Sequence, residues 1–192
     1  MKELLSQQQL REGVQRLARD VTAYYADRPL TIVGILTGSI VLLADLIRQL
    51  EMPLRVGLLQ TRSYRGPSTE PGTLAINPDL FPDVKNRDVL LVDDIFDTGN
   101  TLAAVFAQLD QVGARSIRSA VLLRKAGRRQ VSLTPDFVAF DIPDEFVVGY
   151  GLDYNDLYRN LPHVAALERS DLTESDLAET DLASDDREGP NP

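Results

Sequence analysis

The chain has 192 residues, a hydrophobic share of 43% and a formal net charge of -9. This length and composition suit one domain with a sizeable core. The sequence has no cysteine, which excludes disulfides, thiolate metal sites and a cysteine nucleophile. Apolar runs such as Val89 to Val92 are far too short to span a membrane, and the N-terminus lacks a signal-peptide pattern. We therefore expect a soluble, cytoplasmic protein without a membrane partner.

The negative charge is concentrated at the C-terminus, where residues 168–192 carry nine acids and two bases. The rest of the chain is close to neutral, which suits a small anionic ligand and argues against a nucleic-acid partner. We predict a folded domain over residues 1–168 and an acidic, disordered tail over residues 169–192. The tail repeats SDLTE, SDLAE and TDLAS leave a pentapeptide-repeat β-helix as the alternative, although three repeats cannot complete a coil.

Helices and strands alternate along the predicted domain. Apolar residues spaced by three and four from Leu10 to Tyr24 predict an amphipathic helix over Gln7–Tyr25. The further predicted elements are a strand at Leu30–Leu36, a helix at Ser39–Leu50, a strand at Leu54–Gln60, a mobile loop at Ser63–Pro78, a strand at Asp88–Val92, a helix at Thr101–Val112, a strand at Ile117–Leu123, and extended pieces at Phe137–Phe140 and Phe146–Val148. This order predicts an α/β fold with a central parallel sheet and a ligand site at the carboxyl ends of its strands.

The segment Val89–Leu102, VLLVDDIFDTGNTL, combines an apolar strand, two acids, a short turn and the start of a helix. Backbone N–H groups at such a turn attract phosphate, and Gly99 lets the backbone approach a ligand closely. Asp93 and Asp94 suit ribose hydroxyls or a magnesium ion. The pattern predicts a sugar-phosphate site. The alternative is an ordinary strand-turn-helix in which Asp97 caps the helix.

The same segment resembles the phosphoribosyl-diphosphate motif of the type I phosphoribosyltransferases. Pro135 to Val164, PDFVAFDIPDEFVVGYGLDYNDLYRNLPHV, resembles the C-terminal region of hypoxanthine-guanine phosphoribosyltransferases. The likeness extends from about Leu30 to Leu167 and is weakest from Arg62 to Phe81. It implies a type I phosphoribosyltransferase fold with a small hood and a mobile lid loop. It also implies Mg²⁺-dependent transfer of a phosphoribosyl group from phosphoribosyl diphosphate to hypoxanthine or guanine.

The resemblance further assigns roles to individual residues. Asp97 matches the residue that assists proton transfer at the purine's imidazole ring. The residues implied to bind phosphoribosyl diphosphate are Leu36, Thr37, Gly38, Ser39, Asp93, Asp94, Asp97, Thr98, Gly99, Asn100, Thr101 and Arg159. The base is implied to contact Lys125, which donates to the 6-oxo group, Phe146, which stacks on the ring, Val147 and Asp153. Magnesium ligands are implied at Asp93, Asp94 and Asp153, and a lid at Ser63 and Tyr64.

The family's pyrophosphate loop implies a cis peptide bond between Leu36 and Thr37. Thr37 stands where many relatives carry Lys or Arg, and Asp93 replaces a more usual Glu. Taken singly, four of the assigned residues also have an ordinary structural interpretation. These are Lys125 in a solvated basic turn, Phe146 in the core, Asp153 as a turn cap and Arg159 in a surface ion pair.

Three alternatives to the implied function stay open. One is a phosphoribosyltransferase for xanthine or a pyrimidine, and another is a non-catalytic regulator that binds a nucleotide or nucleic acid. The third is an interaction module that works through its acidic tail. Because relatives are dimers or tetramers, the resemblance also implies a homodimer or homotetramer.

Overall fold

A computed structural model describes residues 1–63, 74–76, 82–168 and 171. Its elements are, in chain order, β1 (Lys2–Leu5), α1 (Gln7–Tyr25), β2 (Leu30–Leu36), α2 (Ile40–Ile47), β3 (Leu54–Ser63), β4 (Leu74–Ile76), β5 (Asp88–Phe96), α3 (Asn100–Gln111), β6 (Ser116–Lys125), β7 (Phe137–Ile142), β8 (Val147–Val148) and β9 (Val164–Ala166). Tyr64 of the predicted lid, much of the predicted loop, and the tail apart from Asp171 lie outside the described residues.

The main sheet of the described residues has the strand order β4-β3-β2-β5-β6-β7. Strands β3, β2, β5, β6 and β7 run parallel, and β4 is antiparallel to β3. The predicted α/β fold with a central parallel sheet is therefore confirmed. The chain passes from β2 to β3 on one side of β2, while β5 lies on its other side. Open α/β sheets bind ligands in the crevice at such a reversal, here between the carboxyl ends of β2 and β5.

Strand β5 is buried on both faces, which is why its sequence is a continuous apolar run. Leu90 and Val92 belong to the core cluster formed with α1 and α2. Val89 and Leu91 belong to the cluster on the opposite face, formed with α3. Each such side chain contributes roughly 1.5–3 kcal/mol by leaving water. The strand that ends at the ligand crevice is thus firmly fixed. No described helix has the length and apolar character needed to cross a membrane.

A second, antiparallel sheet of order β1-β9-β8 brings the two ends of the described domain together. Lys2 pairs with Ala166, which also pairs with Val147. The sequence did not predict β1 or β9, because strands this short carry little periodicity. The Leu167 N–H donates to the Phe146 carbonyl at 2.9 Å, so this sheet fixes the backbone at Phe146.

The inward face of α1 differs from the prediction at its C-terminal end. Tyr24 is 41% exposed, whereas Tyr25 is fully buried. The Tyr25 hydroxyl donates to the Val89 carbonyl at 3.2 Å. Tyr24 instead packs edge-on against Phe137 at the surface, with ring centroids 5.9 Å apart. A tyrosine with an inward hydrogen-bond acceptor thus takes the core position.

Several predicted boundaries are also wrong. Helix α2 ends at Ile47, before the predicted Leu50, because the chain tightens into a turn in which the Gln49 N–H donates to the Leu46 carbonyl. Strand β4 lies within the segment predicted as a loop and pairs with the end of β3, where Ser63 is opposite Leu74. Strand β5 continues past the predicted end at Val92.

Candidate active site

A cavity of about 410 Å³ lies at the carboxyl ends of β2 and β5. The predicted site residues that line it are Leu36, Thr37, Gly38, Asp93, Asp94, Asp97, Thr98, Gly99, Thr101, Asp153 and Arg159. Gln60 and Thr61, at the end of β3, also line it and were not predicted. They follow from the parallel sheet, because the carboxyl end of the strand next to β2 meets the same crevice.

The loop after β2 forms one wall of this cavity. The peptide bond between Leu36 and Thr37 is cis, as predicted. Gly38 lies directly against the Asp94 carboxylate, since a Cβ at Gly38 would be 1.6 Å from Asp94 Oδ2. Gly151 packs on the same loop, where a Cβ would be 2.2 Å from the Gly38 carbonyl oxygen. The loop is therefore held between an acid of β5 and the C-terminal segment, with no space for larger side chains.

Ser39 departs from its predicted role. Its side chain is fully buried, and its hydroxyl donates to the Ile35 carbonyl at 2.6 Å. The hydroxyl is thus committed to the end of β2, and a ligand would meet only the main chain of Ser39. Ser39 does not line the cavity.

Asp93 and Asp94 form the floor of the cavity near the end of β5. The Asp94 N–H donates to Asp93 Oδ1 at 3.0 Å, and the Ile95 N–H donates to Asp94 Oδ1 at 2.9 Å. Burial raises the pKa of Asp93 well above its ordinary value, and the neighbouring Asp94 charge adds to this rise. Burial also raises the pKa of Asp94. Asp93 is buried and Asp94 is half-buried against the cavity, and two adjacent carboxylates of this kind favour a site that receives a cation or sugar hydroxyls.

The turn after β5 leads into α3 and faces the same cavity. Gly99 has φ of 87°, a left-handed conformation that favours glycine, and α3 begins at Asn100 with Gly99 as its N-cap. Asp97 is therefore not the helix cap that the alternative interpretation required. The main-chain N–H groups at this helix start suit a phosphate, and the Asn100 N–H also donates to Thr98 Oγ1 at 3.4 Å. The turn is braced from outside by Gln130, whose N–H donates to the Thr98 carbonyl at 2.9 Å.

Asp97 and Lys125 lie together beyond the turn. The Lys125 ammonium is 3.9 Å from Asp97 Oδ2, and the Lys125 side chain is only 8% exposed. Lys125 is thus not in a solvated basic turn. Asp97 Oδ1 accepts no hydrogen bond within the described residues, although the Arg128 guanidinium forms an ion pair with it at 2.9 Å. Oδ1 is buried beneath Arg128, so the oxygen of Asp97 that can accept a proton or a hydrogen bond from a ligand is Oδ2.

Phe146 and Val147 lie at the edge of the small sheet. Phe146 is 52% exposed, so it is not part of the core. Tyr154 supports it edge-on, with ring centroids 5.5 Å apart. Val147 is buried. An exposed, laterally supported ring suits stacking on a flat heterocycle.

Arg159 and Asp153 close the opposite side of the cavity. Arg159 Nη2 is 2.8 Å from Asp153 Oδ1 and 3.1 Å from Asp156 Oδ1, and Nη1 donates to the Gly151 carbonyl at 2.8 Å. Asp153 Oδ2 also accepts from the Asp156 N–H at 2.9 Å. Both ordinary alternatives, a turn cap and an ion pair, are therefore present. Neither prevents these side chains from facing the cavity.

The predicted residues separate into two groups in space. The predicted phosphoribosyl-diphosphate set lines the cavity except for Ser39 and Asn100, whereas Lys125, Phe146 and Val147 do not line it. Asn100 donates through Nδ2 to Gln130 Oε1 at 3.3 Å. For the lid, the main chain at Ser63 ends β3. Asp97 is the residue that joins the cavity to the Lys125 side.

The acids at the cavity fit magnesium only together with a ligand. Within the described residues, no three acidic, histidine or cysteine side chains come together as a metal site. Asp93, Asp94 and Asp153 therefore do not form one shared cluster. Mg²⁺ is commonly held by one or two carboxylates and completed by substrate phosphates and water. The adjacent pair Asp93 and Asp94, with its raised pKa values, fits that pattern.

Comparison with known proteins agrees with this arrangement. The phosphoribosyl transferase domain family matches residues 1–155. A hypoxanthine-guanine phosphoribosyltransferase of Staphylococcus epidermidis is 40% identical over 165 residues, which cover 86% of this chain and 92% of that protein. The crystal structure of a hypoxanthine phosphoribosyltransferase of Staphylococcus aureus has a TM-score of 0.84 and 36% identity, covering 91% of this chain and 95% of the other.

A second similar structure is that of the hypoxanthine phosphoribosyl transferase of Trypanosoma cruzi. It has a TM-score of 0.83 and 30% identity and covers 95% of this chain and 96% of its own. That structure concerns the role of the C-terminal region in oligomeric state and enzymatic activity of the T. cruzi protein. On the strength of the sequence match, the shared fold and the cavity, the chain belongs to the hypoxanthine-guanine phosphoribosyltransferases of the phosphoribosyl transferase domain family.

Proposed function

We propose that the protein transfers the phosphoribosyl group of 5-phosphoribosyl 1-diphosphate onto hypoxanthine or guanine, giving IMP or GMP and pyrophosphate. One observation carries this proposal. A single cavity is lined by the adjacent acids Asp93 and Asp94, a helix-start turn and Arg159, and Asp97 connects it to a nearly buried lysine. The cavity suits a sugar carrying phosphate at both ends, and the lysine suits a carbonyl on the base.

The sugar phosphate is held by groups of complementary charge. The main-chain N–H groups of the turn Thr98 to Thr101 suit the 5′-phosphate. The Arg159 guanidinium and the loop from Leu36 to Ser39 face the side where the diphosphate would lie. Thr37 supplies a hydroxyl in this loop but no charge. Among the residues that the structure describes, Arg159 is the one cationic side chain that lines the cavity.

The base is selected by Lys125. An ammonium group donates to the 6-oxo group of hypoxanthine or guanine, whereas adenine presents an amino group that cannot accept from it. Phe146 offers its exposed face for stacking. The main chain at Val147 lies beside it and reads the pyrimidine edge of the purine.

The reaction breaks the bond between the anomeric carbon and the diphosphate oxygen and forms a bond from that carbon to an imidazole nitrogen of the purine. Asp97 accepts the proton that the purine releases. Arg159 and the loop N–H groups stabilise the negative charge on the departing diphosphate. Holding base and sugar in line supplies much of the rate gain, so no protein nucleophile is needed.

Asp93 and Asp94 are the residues that would hold a magnesium ion, and Asp153, across the cavity, would take part only in holding a second ion. When bound, the ion would supply positive charge against the diphosphate and fix its oxygens. Burial raises the pKa of both acids because their negative charge lacks compensation, and a bound cation would supply that compensation.

We also propose a homodimer or homotetramer located in the cytoplasm. Support for an oligomer comes from the T. cruzi relative, whose structure concerns the role of its C-terminal region in oligomeric state. In this chain the Met1 amine lies 3.2 Å from Glu168 and 2.7 Å from Asp171, so residue 171 is held against the N-terminus. Light scattering of the full chain measures the oligomeric state.

The domain boundary at residue 168 stays a prediction.

Replacing the proposed base tests the function. Asp97→Asn removes the proton acceptor but keeps the shape, so we expect turnover to fall by about 10²-fold or more. Asp110→Asn, on the exposed face of α3, is the matched control and should retain wild-type turnover. Pyrophosphate release with hypoxanthine is the measurement. Equal turnover of the Asp97 and Asp110 variants would remove Asp97 from this role.

A further inference from the structure

Four charged side chains form a closed ring of alternating charge, named here the base-side ring: Asp97, Lys125, Asp144 and Arg128. The Lys125 ammonium is 3.5 Å from Asp144 Oδ1 and 3.9 Å from Asp97 Oδ2. Arg128 joins the same two acids from the other side. Sequence reasoning assigned roles to Asp97 and Lys125 and gave none to Arg128 or Asp144.

Arg128 contacts the two acids through different nitrogen atoms. Its Nε lies 2.9 Å from Asp97 Oδ1, and its Nη1 lies 3.2 Å from Asp144 Oδ1 and 3.3 Å from Asp144 Oδ2. A planar guanidinium can make such a bridge with fixed geometry, whereas an ammonium is a point charge. Arg128 therefore sets the separation of the two carboxylates.

The separation matters for Lys125. Its ammonium is too far from Asp97 for a hydrogen bond, although the two charges attract. Asp144 pulls the ammonium the other way, and Arg128 competes for the Asp97 carboxylate. Without either restraint, Lys125 and Asp97 would close into a direct pair. In such a pair the Lys125 ammonium would no longer be free to donate to the 6-oxo group of the base. The Asp97 carboxylate would no longer be free to accept the proton of the base.

The backbone ties Arg128 to the turn that carries Asp97. The Gln130 N–H, two residues after Arg128, donates to the Thr98 carbonyl, one residue after Asp97, at 2.9 Å. Asn100 donates to the Gln130 side chain at 3.3 Å. Val131 also packs at the turn, where a Cβ at Gly99 would be 2.6 Å from Val131 Cγ2. The Arg128 loop and the phosphate turn therefore form one unit.

We propose that Arg128 and Asp144 are positioning residues that hold Asp97 and Lys125 apart and available to the purine. The proposal rests on the proposed function, because it concerns the two groups that act on the base. It predicts a specific kinetic signature. Catalysis on the base depends on the ring. Binding of phosphoribosyl diphosphate depends on the cavity residues, which include Asp97 but neither Arg128 nor Asp144.

The test compares Arg128→Gln with Arg129→Gln, its exposed neighbour outside the ring. We expect Arg128→Gln to lower kcat with hypoxanthine by about tenfold or more, with the KM for phosphoribosyl diphosphate within about twofold of wild type. Arg129→Gln should match wild type in both. An Arg128→Gln variant with wild-type kcat, or one whose loss lies entirely in that KM, would overturn the proposal.

A second variant separates the ring from general destabilisation. Asp144→Asn should lower kcat to a similar degree, and the double variant should be little worse than either single variant, because both changes release the same Lys125–Asp97 pair. Losses that multiply would overturn the ring as a unit. Melting temperatures close to that of Arg129→Gln verify that the fold is intact.

The outcomes also distinguish this proposal from the function beneath it. A wild-type protein that releases no pyrophosphate with any purine would overturn the proposed function and the ring's role together. An active wild type in which the Arg128 and Arg129 variants behave alike would overturn the ring alone.

Discussion

The two ends of strand β5 carry buried acids in opposite surroundings. At the amino end, Asp88 accepts from Arg115 Nε at 3.0 Å and from the Ser116 hydroxyl at 2.6 Å. The hydrogen bonds from Arg115 hold the pKa of Asp88 below its ordinary value, against the effect of burial. At the carboxyl end, burial raises the pKa of both Asp93 and Asp94.

The difference separates an acid that serves the fold from acids that serve a ligand. The charge of Asp88 is compensated inside the protein, by groups at the start of β6. Asp93 and Asp94 are left without comparable compensation at the edge where open α/β sheets bind ligands. Acidic groups with a perturbed pKa and no compensating partner concentrate at functional sites, where proteins commonly give up some stability for activity.

The largest expected effect is on activity at the carboxyl end. Replacing both Asp93 and Asp94 with Asn should lower kcat/KM for phosphoribosyl diphosphate by about 10³-fold, because the oxygen ligands for metal and ribose lose their charge. The melting temperature should hold or rise, since two buried charges are removed. Pyrophosphate release and thermal unfolding measure the two quantities. Activity above a tenth of wild type, or a melting temperature several degrees lower, would contradict the assignment.

The next effect is on stability at the amino end. Asp88→Asn leaves Arg115 without its partner and weakens a buried hydrogen-bond set, so the free energy of unfolding should fall by about 2 kcal/mol. Activity per folded molecule should be unchanged. Denaturant titration measures the free energy of unfolding. Asp20→Asn, on the exposed side of α1, is the control. If Asp88→Asn were as stable as this control, Asp88 would have no structural role.

The smallest effect is a difference in pH dependence. The lowered pKa of Asp88 means that its contribution is present above the ordinary Asp pKa of about 4 and is lost as pH falls through the lower folded value. The raised pKa values of Asp93 and Asp94 act the opposite way. These raised pKa values favour the ligand-free folded protein at low pH. This contribution to stability is lost as the pH rises through the pKa values that the two acids have in the folded protein.

Melting temperatures of the ligand-free protein from pH 3 to pH 8 check these signs. Relative to wild type, Asp88→Asn should lose least at the lowest pH. The Asp93 and Asp94 double variant should gain most at the highest pH. A constant offset for either variant across this range would show that its acid does not titrate differently in the folded protein.

The sequence predicted the central features of the fold because they rest on strong local patterns. The run at Val89–Val92 is apolar on both faces and is indeed buried on both. The sugar-phosphate site at Asp93, Asp94 and the turn around Gly99 followed from the residues of that segment. The cis bond at Leu36 and the rest of the cavity-lining set were reached through family resemblance, since no periodicity encodes them. Strands β1 and β9 were missed because their pairing is between the two ends of the chain, which local pattern does not report.

Other features depend on tertiary contacts that spacing cannot give. Tyr24 and Tyr25 are adjacent, and only the acceptor at Val89 decides which one is buried. Ser39 follows the loop motif, yet its hydroxyl is taken by Ile35. Arg128 and Asp144 are separated by a whole strand, so their bridge appears only when β6 and β7 are paired.

The most direct test of the account is pyrophosphate release from phosphoribosyl diphosphate and Mg²⁺ with hypoxanthine, guanine, xanthine, adenine and uracil offered in turn. The account predicts release with hypoxanthine or guanine, little with adenine, and none without Mg²⁺. Release confined to xanthine or uracil would contradict the proposed base preference. An absence of release with every base would contradict the assignment as a transferase.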